Sequence, residues 1–177
     1  MIISNSSPII LLAKINKLHI LKELYGKVFI SNCVYKEVIT DGKAERYGDA
    51  FDVEKKIEDF IFIKNIDKNY EIVAQKLKSS LGQGEAESIA LCQQEKAKML
   101  LIDDWKSRKI AQSQGIRCRS TIGILFEALK KNLLNLGEYE DLIKELARHA
   151  WLSGDVVAEF LQAGYRLKGG KYEARKG

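Results

Sequence analysis

Four oxygen-bearing side chains, Asn5, Glu37, Glu85 and Asp103, stand at related places in the chain. Asn5 follows a short apolar run, Met1–Ile3, that reads as a strand. Glu37 falls on the helix after a second such run, Val28–Ile30. Glu85 opens the helix that leads into a fourth apolar run, Met99–Ile102, and Asp103 ends that run. In an open parallel sheet, ligands bind at strand C-termini, so these positions are where chemistry is expected. Carboxylates gathered there would repel one another unless a cation neutralised them. A set of oxygen donors without Cys or His suits Mg²⁺ or Mn²⁺. Such ions activate water and stabilise charge on a phosphodiester. Ser6, Glu87, Asp104 and Thr121 are secondary candidates, and Glu87 rivals Glu85 for the third place. Each acid also has a plainer role open to it. Glu37 can be a solvated helix charge, and Glu85 can compensate a helix dipole. Asp103, or Asp104 in its stead, can cap the next helix.

The elements that must position these groups follow from periodicity. Ser4 to Ser6 form a polar elbow after the first strand, and Ser7-Pro8 opens an apolar helix with Ser7 as its cap. A second helical pattern runs from Asn16, with Leu18, Leu21 and Leu24 inward, to Gly26. After Val28–Ile30, Ser31 or Asn32 caps a helix Cys33–Thr40 with Val34 and Val38 inward, and Asp41-Gly42 breaks it. Glu45–Asp59 reads as a charged helix anchored by Phe51 and Ile57. Phe60–Ile63 is a strand, Tyr70–Leu77 a helix, and Ser79–Gly84 a flexible connection. Glu85–Lys98 is a helix, and Met99–Ile102 is the most apolar strand, as expected of one buried on both faces. Trp105–Gln114 is helical, Ile116–Arg119 is a short strand, and Ser120-Thr121 caps a helix Ile122–Lys131. Two further helices, Tyr139–Ala150 and Ser153–Tyr165, close the pattern. Alternating strands and helices imply a parallel sheet covered by helices.

Composition narrows the chemistry. The 177 residues are 46% hydrophobic and 30% charged, enough for one domain with a proper core. No apolar run approaches the ~20 residues of a membrane span. The N-terminus lacks the basic region of a signal peptide, and a cytoplasmic protein is expected. Cys33, Cys92 and Cys118 have no C-x-x-C spacing and read as reduced buried thiols. With only His19 and His149 besides, zinc has too few ligands. The net charge is +5, but Arg166, Lys168, Lys171, Arg175 and Lys176 against Glu173 place +4 of it in the last stretch. That tail reads as a solvated end that can add non-specific phosphate attraction.

The ordered motifs resemble a known family. They are Ile2-Ile-Ser-Asn-Ser-Ser-Pro-Ile-Ile-Leu-Leu-Ala13, Val28-Phe-Ile-Ser31 with Val34-Tyr-Lys-Glu-Val38, Gly84-Glu-Ala-Glu-Ser-Ile-Ala90, Leu101-Ile-Asp-Asp104 and Thr121-Ile-Gly-Ile-Leu125. Together they look like a PIN-domain protein, of the branch of predicted nucleic-acid-binding proteins related to type II toxin–antitoxin toxins. The resemblance covers roughly the first 135 residues, with residues 136–165 as added C-terminal helices and 166–177 as the basic tail. It implies a three-layer α/β/α sandwich on a mostly parallel sheet of about five strands, an acidic Mg²⁺ or Mn²⁺ site and cleavage of single-stranded RNA. It also implies an antitoxin protein or a second copy as partner, and the lack of a long apolar run implies no membrane. The family's acids fall on Asn5, Glu37, Glu85 and Asp103, and Ser6 matches a small hydroxyl residue beside the first of them.

The departure is Asn5, where the family has aspartate. An amide offers a metal its carbonyl oxygen but no charge, which should weaken Mg²⁺ binding. The leading expectation is a metal-dependent ribonuclease with Asn5, Glu85 and Asp103 on the metal. The alternative is a degenerate domain that binds RNA or a protein without cutting. A receiver-type signalling domain ranks below both, because Ser120 stands where that fold wants lysine. In the C-terminal helices, Trp151, Val156, Val157, Phe160 and Leu161 recur at helical spacing and suit core packing, dimerisation or an antitoxin groove. His149, at a helix end, reads as a dipole-compensating or surface residue.

Overall fold

The structure, a computed structural model, describes residues 1–44, 48–150 and 152–170. In order, the chain forms β1 (Ile2–Ser4), α1 (Ser6–Lys14), α2 (His19–Tyr25), β2 (Val28–Ile30) and α3 (Asn32–Tyr35). A π-helical stretch, Lys36–Asp41, continues α3 into α4 (Gly42–Ala44), and α5 (Gly48–Glu54) follows. Next come β3 (Ile61–Ile63), α6 (Lys68–Leu77), α7 (Gln83–Gln94), β4 (Met99–Leu101), α8 (Trp105–Ser113) and β5 (Cys118–Arg119). The chain ends in α9 (Thr121–Lys130), α10 (Leu136–His149) and α11 (Gly154–Leu167).

Among the described residues the five strands make one parallel sheet in the order β3-β2-β1-β4-β5. With helices flanking this sheet, the architecture is an α/β/α sandwich. β1 is central: Ile3 registers with Phe29 on one side and Leu100 on the other. The chain moves outward from β1 through β2 to β3, then returns to β1's other side with β4. The order therefore reverses between β1 and β4, and such a reversal opens a crevice at the strand C-termini. Asn5 and Asp103 follow these two strands.

Burial explains the strand composition. Leu100, Leu101 and Ile102 are fully buried, as are Ile3, Val28 and Ile30. Ile89 and Cys92 of α7 and Ala111 of α8 join Ile3, Leu100 and Ile102 in one cluster, which fixes α7 over the centre of the sheet. The turn from α7 into β4 is tight: Ala97 N–H donates to Cys92 O at 2.9 Å, and Lys98 N–H to Met1 O at 2.8 Å. The C-terminus of α7 thus lies at the start of the strands, and its N-terminus lies at their ends.

The chain forms two compact units, Met1–Thr121 and the part from Ile122 onward. Within the second unit, Asn135 and Glu138 form a reciprocal capping box that starts α10. The Tyr139 hydroxyl donates to Phe160 O at 2.8 Å, and Tyr139 lies against Gly164, where a side chain would collide with its ring. Leu161 is buried, while Val156, Val157 and Phe160 are half-buried. Trp151 lies outside the described residues. No helix among the described residues is long and apolar enough to cross a membrane.

Several local expectations are corrected. The cap of α1 is Asn5, not Ser7, and Pro8 takes the third helical position, still within the turn whose N–H groups lack helical partners. Asn16 has a positive φ of 53° and lies outside the helices on either side, so α2 starts later. Asp41-Gly42 does not break the helix; the backbone runs on through a π turn. Gly42 is needed for close approach, since a Cβ there would stand 3.0 Å from Ala50 Cβ. Phe51 is no anchor: it is 50% exposed, and Ala50 and Val53 are buried in its place. The stretch Glu45–Tyr47, where that helix was expected to begin, lies outside the described residues. Residues 79–84 are not wholly a connection, because α7 begins at Gln83 with Gly82 as its cap.

Candidate functional site at the sheet edge

Asn5 is 1% exposed. Its backbone N–H still pairs with Leu101 O at 2.9 Å, so it is the last position of β1 held in the ladder. Its extended backbone lets the side chain turn forward, and its Oδ1 accepts from the Ser6 N–H at 2.7 Å. The Ser6 hydroxyl also points to Oδ1, at 3.4 Å. The amide oxygen thus caps α1 and faces the crevice side of the strand end.

Asp103 lies one strand away and is gripped by Thr121. The Thr121 N–H donates to Oδ1 at 2.7 Å and its hydroxyl to Oδ2 at 2.6 Å. Burial pushes the Asp103 carboxyl above the usual carboxylate range. The Thr121 bonds, the Arg108 charge and the Ser7 hydroxyl oppose that rise without cancelling it. The helix-capping role falls to the neighbouring acid. Asp104 Oδ1 accepts from the Ser107 N–H at 2.7 Å and from its hydroxyl. Partial burial pushes Asp104 up, but the Ser107 bonds with Lys106 and Arg108 outweigh it and hold the carboxyl below its usual range. Asp104 therefore caps α8, while Asp103 is bonded across the edge to Thr121 at the start of α9.

Glu37 is not a solvated surface charge. It is half-buried, and its carboxylate lies over the Cα of Gly84 at the start of α7. A Cβ at Gly84 would stand 2.5 and 2.7 Å from its two oxygens. The Cys33 thiol donates to Glu37 Oε1 at 3.6 Å. Glu87 reaches the same place from α7: its Oε2 accepts from the Cys33 N–H at 3.2 Å, and its Oε1 from the Gln83 amide at 3.1 Å. Asn32, Cys33, Lys36, Glu37 and Glu87 line a cleft of about 420 Å³. Burial, then the charges of Glu37 and Glu87, push the Cys33 thiol up to about 12. Glu85 behaves differently. Its carboxylate folds back over Gly82, the cap of its own helix, so the dipole-compensating role fits its position. It is also one turn before Ile89, on the face of α7 that packs on β1 and β4.

Structure thus pairs Glu37 with Glu87 around Cys33, and sets Asn5 and Asp103 on adjacent strand ends of the same edge. Among the described residues, no three His, Cys, Asp or Glu side chains gather closely enough to hold a metal by themselves. The donor types, an amide oxygen and carboxylates, are those a hard divalent cation takes. Sequence reasoning did not place Cys33, Gly84 or Ser7 at the site. A glycine in the first turn of an otherwise strong helix is a signal that something approaches its backbone, and it could have flagged Gly84.

The sequence matches the model of a PIN-domain family over residues 1–164. The chain belongs to the PIN-domain family. No curated protein matches it. The fold is accordingly the nuclease-like fold of that family, whose members generally depend on divalent metals.

Proposed function

We propose that the chain is a metal-dependent ribonuclease that cleaves single-stranded RNA, with Asn5, Glu37, Glu85 and Asp103 as its site. One observation carries this reading. The sheet order reverses between β1 and β4, so Asn5 and Asp103 flank the crevice, and the N-terminus of α7 with Glu37 packed on it faces the same edge. Mg²⁺ or Mn²⁺ held by Asn5, Glu85 and Asp103 would supply Lewis-acid stabilisation of charge on a phosphodiester. Thr121 holds the Asp103 carboxylate in one orientation, and Ser6 does the same for the Asn5 amide. The raised carboxyl of Asp103 is a group that gains from a nearby cation, because the cation offsets the cost of burying its charge. Glu37, fixed against Gly84, adds negative charge beside the crevice.

A second reading is favoured by Asn5 itself: a domain that binds RNA or a protein partner without cutting. The amide makes the cap of α1 that an aspartate would also make, but without burying a second charge at the strand ends, and the site loses one charge. A toxin role, held in check by an antitoxin protein or by a second copy, belongs to the first reading.

One experiment separates them. Mn²⁺ binding by calorimetry and cleavage of a labelled single-stranded RNA are measured on the wild type and on Asn5→Asp, Asp103→Asn, Glu85→Gln and Glu87→Gln. The ribonuclease reading expects Mn²⁺-dependent cleavage lost in Asp103→Asn and Glu85→Gln. Cleavage that survives both substitutions refutes the site, and loss in Glu87→Gln alone moves the third acid to Glu87. Absence of cleavage in the wild type, with metal binding gained in Asn5→Asp, establishes the second reading.

A further inference from the structure

The residue immediately beyond Asp104 is a tryptophan in solvent. Trp105 is 64% exposed at the first position of α8. A lone exposed aromatic is ordinary, but its surroundings here are not. The helix reads Trp105-Lys-Ser-Arg-Lys-Ile-Ala-Gln-Ser113, with three cations and no acid. Ser107 and Ala111 are buried, so the opposite face carries Trp105, Arg108, Lys109 and Gln112 in one stripe. Lys109 Nζ stands 5.8 Å from the Trp105 ring centroid, which steadies the ring against the helix. The acid next to the stripe, Asp104, is bonded to Ser107 and feels the charges of Lys106 and Arg108. Arg108 connects the stripe to the crevice, since its charge is felt at both Asp103 and Asp104.

An aromatic platform among cations, without acids of its own, matches a chain that alternates flat bases with phosphates. We propose that the outer face of α8 is a landing site for single-stranded RNA, with a base stacked on Trp105 and flanking phosphates held by Lys106, Arg108 and Lys109. This deepens the preceding section and rests on its reading that RNA is the substrate at the sheet edge. The strand would run from the stripe past Arg108 toward Asp103. Stacking gives affinity without sequence choice, because every base has a flat face.

The test uses the full chain and a fluorescein-labelled oligouridylate of about 12 nucleotides, read by anisotropy in EDTA so that no cleavage intervenes. A second probe of the same length has an abasic ribose-phosphate backbone. The wild type should prefer the base-bearing probe, and Trp105→Ala should weaken its binding about 5- to 150-fold, the effect of one stacked base. The same substitution should leave the abasic probe unaffected, and Trp105→Phe should keep part of the preference. Lys109→Gln should reduce the salt dependence by about one phosphate contact. Thermal melting confirms that each variant is folded. Equal binding by Trp105→Ala and wild type overturns the proposal, as does equal wild-type affinity for the two probes. No wild-type binding to either probe overturns it too. Cleavage in Mn²⁺ is scored separately: stacking without cleavage keeps this proposal and removes the ribonuclease reading, and cleavage indifferent to Trp105 does the reverse.

Discussion

Gly84→Ala isolates the placement of Glu37 from the stability of the fold. The added Cβ would stand 2.5 and 2.7 Å from the Glu37 oxygens, whereas ordinary contact begins near 3.4 Å. The carboxylate must therefore retreat by close to 1 Å. It is the far end of a flexible side chain, so the retreat is cheap. Alanine is the better helix former by about 0.5–1 kcal/mol. The two effects oppose each other, and urea denaturation should show a change within about 1 kcal/mol. The site should respond far more, since a displacement of about 1 Å in a positioned group can cost about 100-fold in rate. A second readout does not depend on catalysis. Cys33 is pushed up to about 12 by burial first and then by Glu37 and Glu87. At pH 8 that leaves only ~10⁻⁴ of it as thiolate, and alkylation by iodoacetamide is correspondingly slow. Moving Glu37 away lowers the Cys33 pKa, and each unit of lowering gives about tenfold more thiolate. Gly84→Ala should thus alkylate faster at Cys33, and Glu37→Gln faster still, as followed by peptide mass spectrometry. A Gly84→Ala protein with wild-type alkylation and wild-type Mn²⁺ affinity would show that Glu37 is not held where the structure puts it.

Other expectations concern the strand ends. Asp103 has a raised folded pKa, so its contribution to stability is full below the unfolded carboxylate range and is lost as pH rises through the folded value. Asp103→Asn removes that loss, so its stability relative to wild type should increase with pH in denaturant titrations run from acid to neutral; a flat difference would refute the assignment. Thr121→Val keeps the shape but deletes the hydroxyl bond to the Asp103 carboxyl, and should cost about 1–3 kcal/mol by leaving a buried polar group short of a partner. Asp104→Ala removes a helix cap and should cost about 1 kcal/mol. Because the Asp104 pKa is lowered, its contribution is present above the unfolded value and fades as pH falls through the folded one, so the Ala penalty should shrink in acid. Asn5→Asp keeps the cap but buries a second carboxylate at the strand ends, so without metal it should lose stability as pH rises through the carboxylate range, whereas Asn5→Ala should lose about 1 kcal/mol in the same melting assay.

The strands and most helices were legible because β-branched and apolar runs are short here and end at polar residues. Asn5 and Asp103 could be placed at strand ends for the same reason. The sheet order was not legible, because pairing of β1 with β4 depends on how helices fill both faces, and local pattern does not encode that. Without the order, the direction of α7 stayed open, and with it the place of Glu85. The π turn was hidden because Asp41-Gly42 carries the usual signature of a helix end, and only the approach of Ala50 explains why a glycine stands there. Glu37 stayed open between site residue and surface charge, since its half-buried state depends on Gly84, a residue far away in the chain. Asp103 and Asp104 could not be told apart by type; Ser107 and Thr121 decide between them.

The central place of β1 also sets a timetable for synthesis. Its register partner Leu100 is made long after Ile3. At about 5–20 residues per second, roughly 5–20 s separate the two strands on the ribosome. Until β4 arrives, Ile3 has no neighbour on that side, and Asn5 has no Leu101 carbonyl to fix it. A nascent chain that stops short of β4 thus carries Asn5 and Glu37 but no assembled crevice. The crevice is completed late, so incomplete chains are born without it.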